Sequence, residues 1–187
     1  MREQLDIQII RSRRKTLSLE ITADAKVIVR APLRISEQKI RSFVEEKMPW
    51  IIKNLNKMGA TKSKCESIEP LSKEELHKLA DQALSYIPGR AEYFAGILHV
   101  TYGRITIRNQ KTRWGSCSST GNLNFNCLLM LTPPNVIDYI VVHELCHRLE
   151  MNHSKRFWAL VESVLPDYKS CEKWLKENGR VLMARNR

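Results

Sequence analysis

What the chain has little of narrows it first. No apolar run approaches the ~20 residues that a membrane-spanning helix needs, so no membrane partner is expected. Met1 to Asp6 hold no apolar core, so the N-terminus does not read as a secretory signal. Cysteine is sparse, 5 scattered residues without a C-x-x-C pair. That pattern suggests reduced thiols in a cytoplasmic protein and argues against a closed, Cys-rich structural zinc site. No Gly-rich phosphate loop, helix-turn-helix, zinc-finger or RNP-type signature is present. Histidine is scarce as well, at 5 in 187 residues.

Three of those histidines fall within eleven residues of one another, in His-Glu-Leu-Cys-His from His143 to His147 and then at His153. His143 and His147 are four apart, one turn of a helix and one face, a spacing at which two imidazoles hold one Zn²⁺ without strain. Glu144 lies beside His143, where it can reach a water on the metal without ligating it. This is the H-E-x-x-H arrangement of zinc hydrolases, with Glu144 as general base. A catalytic zinc takes three protein ligands and keeps one position open. His153 is the candidate for the third, once Asn152 ends the helix in a left-handed conformation and Ser154 caps the next. The competing reading is an amphipathic helix whose imidazoles are solvated or hydrogen-bonded. The apolar approach, Val136, Ile137, Ile140, Val141 and Leu145 after Pro133-Pro134, favours a buried helix central to the fold.

Before this window, residues 5–30 alternate apolar and polar, which predicts strands interrupted by turns at Arg11 to Lys15 and Ala23 to Lys26. Arg11, Arg13, Arg14 and Lys15 are either phosphate contacts or a solvated turn. Ser36 then caps a helix expected to kink or restart at Pro49, with Trp50 packing inward. Residues 59–71, with Gly59, Ser63 and Pro70, are the linker candidate between an N-terminal lobe, 1–58, and a second region, 72–187. Ser72 to Glu75 is a capping box opening a helix that Pro88-Gly89 bends or breaks. Two short strands are expected over 99–102 and 105–108. A hairpin follows across Ser118 to Gly121 and leads into the site helix. Arg113 on this hairpin is a candidate substrate contact or a structural hydrogen-bond donor. Gly115 leaves room for close backbone approach. After His153, Phe157 and Trp158 are expected to wall the site. A last helix is expected to end at Asn178-Gly179, with a disordered tail from Ala184.

Several stretches resemble one family, the YgjP-like metal-dependent hydrolases, relatives of the SprT-like metallopeptidases. They are Val142 to His147, Asn152 to Trp158, Arg113 to Cys117, Asn122 to Asn126, Arg11 to Lys15 and Val29 to Pro32. The resemblance implies an α+β, zincin-like metallopeptidase domain, with a small antiparallel sheet, site helices, an N-terminal β-rich lobe and a helical linker region. It implies zinc on His143, His147 and His153, with Glu144 as the catalytic carboxylate. In that architecture a strand runs along the rim of the cleft, where an extended peptide can pair with it. Metzincins share the spacing of the three histidines but carry Gly where this chain has Glu150, which argues against that assignment.

The functional expectation is a zinc-dependent hydrolase acting on a peptide or protein, with one Zn²⁺ per chain, although imidazoles also suit other divalent transition metals. Arg113 and Asn152 are the candidate substrate-binding residues. Two alternatives rest on the net charge of +11, which is spread along the sequence. One is hydrolysis of a phosphoanhydride in a nucleotide. The other is a nucleic-acid-associated protease or binding module.

Overall fold

The structure, a computed structural model, describes residues 5–186. The chain divides into two compact units, one ending at Lys64 and the other beginning at Cys65. In the first unit β1 (Ile7–Ser12), β2 (Ser18–Ile21) and β3 (Val27–Pro32) form a sheet in the order β1-β3-β2. The central strand buries alternate residues, Val27, Val29 and Ala31, as the period of two dictates. β2 pairs with β3 antiparallel, but β1 runs parallel to it, from Ile7 opposite Val27 to Ser12 opposite Pro32. The sheet is therefore mixed rather than purely antiparallel, because the β1–β2 connection passes over the end of β3 instead of closing a hairpin.

Helix α1 (Glu37–Ser67) contributes Ile40 to a small core with Val29 and Ala31. Pro49 does not break it, and the helix continues through residues 59–67, whose composition suggested a linker. Pro49 is exposed, and so is Glu45, whose carbonyl the missing N–H leaves to water. Trp50, expected to pack inward, is 48% exposed.

The second unit is built around a continuous apolar core. Helix α2 (Lys73–Leu98) opens with the expected capping box: Ser72 Oγ accepts from the Glu75 N–H at 3.1 Å, and the Glu75 carboxylate accepts from the Ser72 N–H at 2.8 Å. Pro88 does not end this helix either; the carbonyl it frees belongs to Leu84, on the exposed face. The helix stops at His99, left-handed with φ of 52°, so no strand forms over 99–102. β4 (Ile105–Arg108), β5 (Gly115–Cys117) and β6 (Leu123–Asn126) form a second sheet, in the order β4-β6-β5. β5 and β6 make the expected hairpin, and β4 pairs with β6 in parallel, so this sheet too is mixed. The apolar run after it winds into a 3₁₀ turn, Cys127–Leu131, capped by Asn126.

Helix α3 (Pro134–Cys146) is apolar on nearly every side and lies in the middle of this core. Arg90 of α2 donates from Nε and Nη2 to the Asp138 carboxylate of α3, at 2.7 and 2.9 Å, and so ties the two helices together. Helices α4 (Lys155–Val164) and α5 (Tyr168–Ala184) complete the unit. Asn178-Gly179 does not terminate α5. Gly179 is buried there, and a Cβ would lie 3.3 Å from the Trp114 indole. The tail expected to be disordered is ordered through Asn186, which is buried and accepts from Asn109 Nδ2 at 2.8 Å; Arg187 lies outside the described residues.

Asn126 joins these parts. Fully buried, it donates from Nδ2 to the carbonyls of Gln110 (2.7 Å) and Arg113 (3.0 Å), and its Oδ1 accepts from the Leu128 N–H at 3.1 Å. Replacing it with Ala takes the partner from the buried Leu128 N–H and from the part-buried carbonyls of Gln110 and Arg113, each bond worth about 1 kcal/mol. Asn126→Ala should therefore lower the unfolding free energy by about 3 kcal/mol in urea titration; an unchanged midpoint would contradict this account.

Candidate metal centre

The site helix ends earlier than the sequence suggested. Its last turns close through hydrogen bonds from Arg148 N–H to Leu145 O and from Leu149 N–H to Cys146 O, so regular helix stops at Cys146. Asn152 is not left-handed; among the described non-glycine residues only Ala25 and His99 have positive φ. The reversal is made instead by residues 147–153, and Ser154 caps α4 as expected, accepting from the Phe157 N–H at 3.3 Å. A clamp holds this loop, in which the Glu150 carboxylate pairs with Arg156 Nε at 3.1 Å.

That turn brings His153 back to the helix. One ring nitrogen from each of His143, His147 and His153 falls within 4.8 Å of the others. His143 Nε2 and His153 Nε2 face each other at 3.0 Å. Two imidazole nitrogens that close need a proton or a shared cation between them. Two Zn–N bonds of about 2.0–2.1 Å at a tetrahedral angle would hold them about 3.4 Å apart, so a small adjustment suffices. His147 is already oriented: its Nδ1 donates to the Glu150 carbonyl at 3.0 Å, which leaves the Nε2 lone pair free. The Phe157 ring, fully buried, underlies all three imidazoles, with centroids 4.9, 4.6 and 4.7 Å from those of His143, His147 and His153. Trp158 stacks on His153 at 5.8 Å. The two aromatics thus wall the site as their position in the sequence suggested.

Burial sets the charge states. Desolvation, reinforced by the neighbouring imidazoles, pulls the His143 pKa down to about 3, and burial also lowers that of His147. Both rings are therefore neutral near pH 7, the form that ligates a metal. Glu144 is only 5% exposed, and burial pushes its pKa up to about 8, against the pull of the Arg113 guanidinium and the Cys117 N–H. A bound divalent cation would favour the carboxylate. The donor set, the neutral rings and the fixed tautomer at His147 all fit such an ion.

Gly115 admits the carboxylate. A Cβ there would lie 2.7 Å from Glu144 Oε1 and 2.8 Å from its Cγ, so only glycine lets edge strand β5 approach α3 this closely. The sequence pointed to Gly115 as a place of close approach but not to Glu144 as the neighbour. Arg113 is exposed and its charge reaches Glu144. Asn152 is also exposed, and its side chain hydrogen-bonds to none of the described residues. Beside the imidazoles, Trp114, Tyr139, Ile140 and Leu175 line a cavity with Glu172 and Lys176, which are ion-paired at 3.1 Å. Sequence reasoning missed the Glu150 carbonyl, since every residue carries one and only the turn aims this one at His147. It also missed the Asn126 anchor under Arg113.

Three imidazoles whose ring nitrogens converge beside a buried carboxyl could hold a metal ion. The chain belongs to the YgjP-like family: residues 15–80 and 71–178 match the family described as YgjP-like, metallopeptidase domain. It is thus a metallopeptidase-domain protein, a family description that implies a peptide or protein substrate. No curated protein matches the sequence. Among solved structures it is similar to the metallopeptidase zymogen abylysin of Pyrococcus abyssi, with 24% identity and a TM-score of 0.46, over 50% of this chain and 96% of that one. It is also similar to the zymogen jannalysin of Methanocaldococcus jannaschii, with 20% identity and a TM-score of 0.45, over 49% and 95% of the two chains.

Two outcomes follow. Gly115→Ala should fold and take up metal but lose at least about tenfold in peptide hydrolysis, because the new methyl displaces the Glu144 carboxylate; full activity would contradict the packing. The second concerns pH. In the metal-free protein the folded state keeps a proton on Glu144 up to about pH 8, while an unfolded carboxyl loses it near 4.5. The unfolded state then binds fewer protons between those values, so Glu144 makes stability fall as pH rises through that window and level off above it. Thermal melting of metal-free Glu144→Gln should show a smaller decline than the parent across that range. Parallel pH profiles would remove the buried carboxyl as the cause.

Proposed function

We propose that this chain is a zinc-dependent peptidase with one Zn²⁺ held by His143, His147 and His153, and with Glu144 as its general base. The observation that carries the reading is the convergence of three ring nitrogens within 4.8 Å beside a buried carboxyl. An ion bound there would supply an acidified water and polarise the scissile carbonyl. The chain's own groups do the rest. Glu144 accepts a proton at its carboxylate from the attacking water and returns it to the leaving nitrogen. Its burial keeps bulk water from competing for that proton. The Arg113 guanidinium, whose charge already reaches Glu144, meets negative charge developing on the carbonyl oxygen, and Asn152 supplies a side-chain amide at the rim. β5, at the edge of its sheet and against Glu144, offers backbone groups to an extended peptide. Five free cysteines, with no disulfide, support a reducing compartment such as the cytoplasm.

Elemental content is the direct test. The parent protein should carry about one zinc per chain, and His153→Ala should lose it or bind it at least about tenfold more weakly. Glu144→Gln should keep the metal and lose about a hundredfold or more in turnover of a peptide substrate. A parent that takes up no zinc on addition, or a Glu144→Gln variant with normal turnover, overturns the assignment.

A further inference from the structure

The cations are dispersed in sequence, but the two units share them unequally. Residues 1–64 hold 15 Lys and Arg against 7 Asp and Glu, a net charge of +8. Residues 65–187 hold 16 against 13, only +3. Within the first unit the topology gathers part of this excess at one end of the sheet. β1 and β3 are parallel and finish side by side, Ser12 opposite Pro32. The connection over residues 13–17 must cross the end of β3 to reach β2, because β3 lies between its two partners. It therefore sits by the loop over residues 33–36, and Arg11, near the end of β1, ties that strand to this second loop by donating from Nη1 to the Leu33 and Ile35 carbonyls at 3.2 and 2.8 Å. Arg13, Arg14 and Lys15 lie on the first loop and Arg34 on the second. Among the described residues none of these four has an ion-pair partner. Arg13, Lys15 and Arg34 are exposed, as are the Ser12 and Thr16 hydroxyls beside them. No acidic residue occurs from Ile7 to Leu19 or from Ala25 to Ser36. After these stretches the next carboxylates in the sequence are Glu20, paired with Arg30 at 3.2 Å, and Glu37 in the first turn of α1.

We propose that this end of the N-terminal sheet, built from Arg13, Arg14, Lys15 and Arg34, binds the phosphodiester backbone of a nucleic acid. Phosphate is the acceptor that arginine forks fit in pairs, and several cations on two adjacent loops span more than one phosphate. The donors face backbone phosphates and no base-reading element accompanies them, so binding is electrostatic and insensitive to sequence. An anionic membrane is the weaker fit: Leu33, 55% exposed, is the one large apolar side chain exposed on these two loops, too little to insert.

The test uses the full chain with two charge-matched variants. One is Arg13→Gln/Lys15→Gln/Arg34→Gln. The other is Lys53→Gln/Lys57→Gln/Lys78→Gln, which removes three exposed helical cations elsewhere. Fluorescence anisotropy with a 30-nucleotide single strand and a 30-base-pair duplex is followed from 50 to 200 mM salt. The parent should bind both, with affinity falling steeply with salt. The loop variant should weaken by at least about tenfold at 100 mM salt and lose about two units of log–log salt slope. The helix variant should change by less than about threefold. No binding at 50 mM salt overturns the proposal, and so does equal weakening in the two variants. Parent binding to vesicles with 30% anionic lipid that is tighter than to either oligonucleotide, and lost in the loop variant, assigns the surface to membranes and also overturns it.

Discussion

The site rests on the desolvation of titratable groups along one apolar helix. α3 buries Val141, Val142, Leu145 and Cys146 completely, and in their midst it carries His143 and Glu144, with His147 capping its end. Removing an imidazole or a carboxyl from water costs free energy in the charged form, and the cheap response is to give up the charge. Both responses occur here: the imidazoles are held neutral and the carboxyl is held protonated without a cation. Neutral imidazoles have lone pairs to share, and a protonated carboxyl is waiting for a positive charge. A divalent cation satisfies both at once. The same burial that penalises the metal-free protein therefore prepares it to bind metal.

The surrounding structure fixes directions rather than adding stability in bulk. His147 could turn either nitrogen toward the cluster, and the Glu150 carbonyl decides which one. His153 lies on a loop, where entropy works against a precise ligand. Three constraints oppose that freedom: the Ser154 cap, the Glu150–Arg156 pair and the Phe157 ring against all three imidazoles. On the other side Gly115 brings a strand edge against Glu144, and Asn126 holds the strand that leads to it through the Arg113 carbonyl. Anchors of this kind matter because a displacement of about 1 Å at a reacting group costs far more rate than stability.

The sequence exposed these features unevenly, for physical reasons. The His143–His147 pair and the Ser72 and Ser154 caps were legible because their spacing is set by helix geometry, which is the same in every protein. The hairpin of β5 and β6 was legible because its turn is local. The sheet mixing was not, since parallel pairing of β1 with β3 and of β4 with β6 depends on which strand reaches the centre. At both prolines the outright break that the sequence allowed for does not occur. Pro49 and Pro88 both fall where the freed carbonyl faces water, so the lost hydrogen bond is replaced by solvent and the helix continues. Asn178-Gly179 misled because Gly179 serves the close approach of Trp114 rather than a left-handed cap. Asn152 misled because α3 tightened and stopped at Cys146, which left the reversal to the loop beyond it.

The partition of charge has a consequence for the metal site itself. A cation is bound less readily where the field is already positive, and imidazole ligands, unlike carboxylates or thiolates, bring no negative charge to oppose that field. A protein with a net charge of +11 therefore carries a potential liability at such a site. Of that charge, residues 1–64 carry +8 and the unit that holds the imidazoles carries +3. Within that second unit Asp138 on α3 balances Arg90, and Glu150 balances Arg156 beside the His153 loop. Arg113 is the exception. It is exposed, where solvent and salt screen it, and its charge acts on Glu144, the buried carboxyl beside the imidazoles. The proposed polyanion surface and the proposed metal ligands make opposite electrostatic demands, and they belong to different folded units.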